Sequence, residues 1–269
     1  MTSKERIRTA LSHHMPDRIP IDFGATTVTG IHIHVIEKLR EYYGFKWQPV
    51  KLTEPYQMLG EVDDDLLSAM GIDVIGFTPR TNMFGFPNEC WKEFRTFWGQ
   101  DILVPEKFVT SLDESGDLLI YPNGDISVSP SGIMPKSGYF FDAIVRQEAI
   151  DDEKLNPEDN LEEFGLMSDA DIQFWRKNLQ IIKKSDKGVV ANFGGMGIGD
   201  VALVPATFLS HPKGIRDVTE WYMSTVMRPD YIKTIFENQT DFAIKNLEKA
   251  FEIVGNEIDV LFVCGTDFG

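Results

Sequence analysis

Segments with helical periodicity alternate along this chain with short apolar segments, and this alternation constrains the fold more than any other feature. Helices are predicted where apolar residues recur every three or four positions before a glycine or proline ends the pattern. Short apolar segments with little polar alternation are typical of strands that are covered on both faces. The predicted helices are 2–11, 31–43, 62–70, 168–184, 215–226 and 229–251, and the predicted strands are 18–23, 72–77, 188–193 and 258–263.

Helices that alternate with strands predict an α/β fold with a parallel sheet. A barrel is favoured over a doubly wound sheet because no strand is followed by a dinucleotide-binding or phosphate-binding fingerprint. The glycine-rich turn at 194–200 carries Asp200 where the third glycine of that fingerprint would stand. We therefore expect a (β/α)8 TIM barrel that forms a single domain over 1–269 and is truncated before its last strands, so that its C-terminal portion lies beyond residue 269.

The stretch from about 78 to 160 interrupts the alternation. It lacks helical periodicity, is rich in Gly, Pro and aromatic residues, and contains strand-like pieces at 96–104 and 118–121 with a turn at 122–125. A long insertion of this kind is typical of a lid, a binding excursion or an oligomer contact. We predict a β-rich excursion from the barrel here.

Charge and cysteine content limit the partners and the compartment. Lys and Arg number 26 against 42 Asp and Glu, and the net charge of -16 argues against affinity for nucleic acid or an anionic membrane. Two cysteines are too few for a disulfide framework, and the first residues lack an apolar signal-peptide core. No run approaches the roughly 18 apolar residues of a membrane span. The sequence therefore predicts a cytoplasmic protein.

Polar residues at the carboxyl ends of the predicted strands are the candidate site, because reactive residues of a barrel lie there. Asp267 is the strongest candidate for catalysis, since a carboxylate after a buried strand can act as a general base, orient a ligand or cap a helix. Asn192 and Asp22 follow two other strands. Arg80 could clamp a carboxylate or phosphate, or form a surface ion pair. Gly195 could contact substrate through its N–H group, or simply form a tight turn.

Metal-ligating residues are sparse. His32 and His34 would point apart in a helix and make an incomplete site. Cys264 could be a thiolate ligand or a nucleophile, with an unreactive buried cysteine as the alternative. The sequence has no Ser/His/Asp order, no HExxH and no CxxC, so hydrolase and zinc-finger functions lack support. No metal site is predicted within the chain, and Cys264 is kept as a weak candidate ligand.

Five segments carry a family resemblance: 3–11 (SKERIRTAL), 16–24 (PDRIPIDFG), 67–74 (LSAMGIDV), 130–142 (PSGIMPKSGYFFD) and 266–269 (TDFG). Together they resemble the uroporphyrinogen decarboxylase superfamily and, within it, the branch of corrinoid-dependent methyltransferases. The first motif is moderately specific, and its combination with the fourth is strong. The similarity extends over essentially the whole chain.

The resemblance implies a (β/α)8 barrel that transfers a methyl group between a cobalamin, carried by a partner corrinoid protein, and a thiol or similar small-molecule acceptor. It also implies zinc, which stabilises an acceptor thiol as the nucleophilic thiolate. In the family a His-x-Cys motif and a later Cys hold this zinc, and those ligands would lie beyond residue 269. Homodimers are common in the family.

Two alternatives remain open. The first is uroporphyrinogen decarboxylation, although 22–27 replaces the segment with which decarboxylases grip substrate propionates, and the position of their essential aspartate falls near 78–80. The second is a non-catalytic fragment of such an enzyme. With about four barrel strands, the unclosed sheet would expose an edge that oligomerisation could cover.

Overall fold

A computed structural model of the protein describes residues 1–161, 165–195, 197 and 199–264. The helices are α1 (Ser3–Leu11), α2 (Ile33–Tyr42), α3 (Asp64–Ala69), α4 (Asp169–Ile182), α5 (Val218–Met227) and α6 (Pro229–Val254). The strands are β1 (Val50–Glu54), β2 (Leu59–Gly60), β3 (Val74–Phe77), β4 (Lys92–Arg95), β5 (Asp101–Val104), β6 (Thr110–Leu112), β7 (Leu118–Ile120), β8 (Gly132–Met134), β9 (Asp142–Ala143), β10 (Gly188–Ala191) and β11 (Val260–Leu261). Within these ranges, no helix has the length and apolar character needed to cross a membrane.

The helix starts that the sequence predicts most sharply are confirmed. Thr2 and Glu5 form a capping box at α1, in which the Thr2 hydroxyl accepts from the Glu5 N–H at 3.2 Å and the Glu5 carboxylate accepts from the Thr2 N–H at 2.8 Å. Ser168 and Asp171 repeat this arrangement at α4. In each box, side-chain oxygens accept hydrogen bonds from backbone N–H groups that have no partner within the helix. The box therefore defines where the helix begins.

A three-stranded parallel sheet has the order β11-β10-β3. Val190 in the central strand pairs with Gly76 of β3 on one side and with Val260 of β11 on the other. All four residues of β10 are buried. A central strand of a parallel sheet that is covered on both faces is expected to show this continuous burial.

Alternate residues of β10 contact opposite layers of helices. Val190 belongs to the hydrophobic cluster that contains Ile7 of α1. Val189 belongs, with Ala191, to the cluster that contains Trp175 of α4 and also includes α6 residues. Because successive side chains of a strand point to opposite faces, β10 lies between α1 on one face and α4 with α6 on the other.

The remaining strands form two sheets of their own. One is mixed, with the order β2-β1-β5-β4, in which only β1 and β5 are parallel, and the other is antiparallel, with the order β6-β7-β8-β9. Both contribute to one hydrophobic cluster with α2. Strands β4 to β9 lie within the predicted β-rich stretch, whereas β1 and β2 were not predicted.

The prediction of a (β/α)8 TIM barrel is wrong. In the described residues the sheets are parallel, mixed and antiparallel, and none closes on itself. The predicted first strand, 18–23, is not a strand. Pro20 has no N–H to donate, and the Ile21 N–H donates to the Asp73 side chain at 3.0 Å rather than to a backbone carbonyl. One backbone bond, from the Asp73 N–H to the Ile21 carbonyl at 2.9 Å, joins the two segments, but it is not continued into a ladder with β3. The single domain over 1–269 stays a prediction.

Candidate functional site

The carboxyl ends of β3, β10 and β11 lie at one edge of the parallel sheet, which we call the carboxyl edge. The Asn192 N–H donates to the Phe77 carbonyl at 2.8 Å, and the Phe262 N–H donates to the Ala191 carbonyl at 2.8 Å. The residues that follow the three strands are therefore neighbours. This is the part of the predicted site that the tertiary structure brings together.

Asn192 organises the glycine-rich turn at this edge. Its side-chain oxygen accepts from the Gly194 N–H at 2.9 Å. Gly194 and Gly195 both have positive φ, +71° and +63°, a backbone conformation that glycine adopts without the steric cost of a side chain. The Asn192 Nδ2 makes no hydrogen bond to the residues that the structure describes. Asn192 can therefore offer that amide to a ligand.

Pro79 and Asn246 lie on two sides of the turn. A Cβ atom on Gly194 would stand 3.5 Å from the Pro79 side chain, and one on Gly195 would stand 3.6 Å from the Asn246 Nδ2. Asn246 of α6 is 4% exposed, accepts from the Met167 N–H at 2.9 Å and donates to the Gly165 carbonyl at 2.9 Å. Asn246 was not predicted from the sequence, although a polar residue on the apolar face of a helix is the signal that could have found it.

Asp22 lies in a tight loop that contacts β3. Its carboxylate accepts from the Ala25 N–H at 3.2 Å, and a Cβ on Gly76 would stand 2.2 Å from the Ala25 carbonyl oxygen. Burial raises the pKa of Asp22, while bonds from the Ala25 N–H and the Thr29 side chain oppose that rise. Asp22 therefore closes a turn beside the last residues of β3. No described contact joins its carboxylate to Asn192.

Arg80 forms an ion pair, which was predicted from the sequence as the alternative to ligand binding by this residue. Its guanidinium lies 3.4 Å from the Glu89 carboxylate, and its carbonyl accepts from the Asn88 N–H at 3.4 Å. Both contacts belong to the loop between β3 and β4. The described contacts therefore assign Arg80 to that loop and not to the carboxyl edge.

The predicted catalytic residue Asp267 lies outside the described residues. Cys264, the weak candidate metal ligand, is half-buried. His32 Nδ1 accepts from the His34 N–H at 3.1 Å, and its Nε2 donates to the Tyr139 carbonyl at 2.8 Å. Among the described residues no three His, Cys, Asp or Glu side chains are grouped to hold a metal ion. These residues therefore do not fit the zinc that the resemblance implies.

Comparisons with models of protein families, with curated proteins and with solved structures found no match. The resemblance to the uroporphyrinogen decarboxylase superfamily therefore rests on the five sequence segments alone. What the described residues of the site offer chemically is a neutral amide donor and two glycines without side chains.

Proposed function

We propose that this protein is a methyltransferase that transfers a methyl group between a protein-bound corrinoid and a thiol or similar acceptor. The observation that carries the proposal is the combined resemblance of 3–24 and 130–142 to corrinoid-dependent methyltransferases. A corrinoid protein is the proposed partner. We also propose a cytoplasmic location, because a chain of 269 residues with only two cysteines is typical of a reducing compartment.

The carboxyl edge is the proposed place of methyl transfer. Gly194 and Gly195 carry no side chains, which allows the close approach of a bulky group to the backbone. The Asn192 amide can donate to a carbonyl or carboxylate of the acceptor and so orient it. A neutral donor suits this task because, unlike a positively charged side chain, it does not form an ion pair with the acceptor thiolate.

The reaction to be tested is transfer from methylcobalamin to a thiolate. The carbon–cobalt bond breaks with both electrons remaining on cobalt, and a carbon–sulfur bond forms, so cob(I)alamin and a methyl thioether appear in equal amounts. The thiol proton goes to solvent. Absorbance reports the corrinoid, and mass spectrometry reports the thioether. We expect both products when methylcobalamin, a thiol and zinc are supplied.

The variant Asn192→Asp is expected to lower kcat/KM at least about tenfold, because one hydrogen bond is lost and a negative charge is added beside the acceptor. It keeps an oxygen that can accept from the Gly194 N–H, but it replaces the amide donor with a carboxylate. Asn256→Ala is the matched control, because Asn256 is exposed and precedes β11 at the opposite edge of the sheet. Equal rates for the two variants would exclude the carboxyl edge as the site.

The two alternatives give different products in the same experiment. A decarboxylase would convert uroporphyrinogen to coproporphyrinogen and leave methylcobalamin intact. A non-catalytic fragment would give neither product. Failure to react with any methylcorrinoid, with zinc and thiol present, would refute the proposed methyl transfer.

A further inference from the structure

An open surface cleft of about 260 Å³ lies between α2, the loop from α2 to β1 and the hairpin that joins β4 to β5. We call it the tryptophan pocket, because Trp47 and Trp98 line it together with His34, Glu37, Lys38 and Asp101. None of its lining residues belongs to the carboxyl edge. Its volume is slightly below the roughly 300 Å³ at which ligand sites usually begin, so the pocket suits a small ligand.

The two indole rings are held in place by their own N–H groups. Trp47 Nε1 donates to the Glu37 carboxylate at 3.2 Å. Trp98 Nε1 donates to the Gln100 side chain at 2.9 Å, and Gln100 in turn donates to the Ile33 carbonyl at 3.0 Å. The polar edge of each ring is therefore already bonded. Trp98 is restrained by this chain of hydrogen bonds, whereas Trp47 is 60% exposed, so the preorganisation that lowers the entropy cost of binding comes from Trp98.

Further aromatic contacts support Trp98. Its ring centroid lies 5.1 Å from that of Tyr139 and 5.7 Å from that of His32. The His32 ring is itself fixed, because its Nε2 donates to the Tyr139 carbonyl at 2.8 Å. This cluster holds the indole from the side of the antiparallel sheet. The pocket wall that Trp98 forms is therefore part of the packed structure.

The charges around the pocket leave one carboxylate for a ligand. Lys38 pairs with Glu41 at 2.9 Å, and Asp101 pairs with Arg95 at 2.7 Å. Glu37 forms no ion pair with the described part of the chain, and its bond to Trp47 uses one of its two oxygens. The opposite charges within each ion pair cancel, so the charge of Glu37 is the excess negative charge beside the two indoles.

We propose that the tryptophan pocket binds a small organic cation with a methylated ammonium group. Such a group has a positive charge spread over methyl groups that form no ordinary hydrogen bonds, so aromatic faces and a nearby carboxylate are the features that recognise it. Trp47 and Trp98 supply the faces, and Glu37 supplies the charge. The net charge of -16 also favours the approach of a cation over that of an anion.

The test is a calorimetric titration of the full chain with choline as the probe. We expect saturable binding with a Kd of roughly 1 mM or lower. The neutral isostere 3,3-dimethylbutan-1-ol has the same shape without the charge, and we expect it to bind at least about tenfold more weakly. Equal binding of the isostere, or no saturation with choline, would each overturn the proposal.

Variants assign the binding to the pocket. Trp47→Leu and Glu37→Gln are each expected to weaken choline binding about fivefold to tenfold. Trp47 is 60% exposed and Gln can still accept from its indole N–H, so both variants should fold. Trp91→Leu is the matched control, because Trp91 lies beside Lys51 and outside the pocket. An equal loss in the control and in the pocket variants would also overturn the proposal.

Discussion

Replacing Asp73 with alanine is expected to lower the free energy of unfolding by about 3 kcal/mol. The Asp73 side chain is 0% exposed, at the start of β3. It accepts hydrogen bonds from Ser3 at 2.9 Å, from Arg6 at 2.6 Å, from Arg18 at 2.7 and 2.9 Å, and from the Ile21 N–H at 3.0 Å. Its removal leaves the buried Arg6 without one of its two carboxylate partners. The value is at the lower end for a broken buried pair because Arg18 is partly solvated.

Equilibrium unfolding in urea measures this loss. Asp101→Ala is the matched control, since Asp101 pairs with Arg95 at 2.7 Å on the surface, where such pairs contribute about 1 kcal/mol or less. The midpoint for Asp73→Ala should fall clearly below that of the control, with little change in the slope of the transition. Similar midpoints for the two variants would show that the Asp73 cluster is not a main source of stability.

The free energy of unfolding is expected to fall by about 3 kcal/mol between pH 5 and pH 8 because of Glu54. Glu54 is 6% exposed, and burial raises its pKa from 4.5 to about 7, although the N–H groups of Gln57 and Tyr56 donate to it. Between pH 4.5 and 7 the unfolded chain loses this proton while the folded protein keeps it. The unfolded state then binds fewer protons, so stability decreases with rising pH and levels off above pH 7.

Glu54→Gln should remove most of this pH dependence, because the amide does not ionise. The variant also gives up one acceptor for the Tyr56 or Gln57 N–H, so its stability at pH 5 should be below that of the wild type. Glu61→Gln is the control, as Glu61 is exposed and paired with Lys51. Urea unfolding at four pH values between 5 and 8 provides the comparison. A wild-type slope retained in Glu54→Gln would disprove the assignment to Glu54.

Only the part of the candidate site that follows β10 could be predicted from the sequence. Asn192 and Gly195 were identified because they come directly after an apolar run, and the parallel pairing of β10 places them at the carboxyl edge. Asp22 and Arg80 were selected by the same rule, but their described contacts lie within their own loops. Position after a strand predicts an edge of a sheet. It does not predict which hydrogen bonds a side chain makes there.

The tryptophan pocket had no signal in the sequence. Trp47 belongs to the loop after α2, Trp98 to the β4–β5 hairpin, and Glu37 to α2. Each residue by itself is compatible with an ordinary surface position. Their common cavity depends on how these elements pack, which no local pattern encodes.

The sequence by itself determined the helices and the three strands of the sheet β11-β10-β3. The two residues of each capping pair, Thr2 with Glu5 and Ser168 with Asp171, lie three positions apart in sequence. Their hydrogen bonds therefore do not depend on contacts with distant parts of the chain. Only the tertiary structure decided how the strands associate. Val50 pairs with Ile102, and the Asp73 side chain takes the Ile21 N–H, so the predicted barrel does not form. Such partners are distant in sequence, and several apolar strands compete for each one, so the choice is made by packing rather than by local propensity.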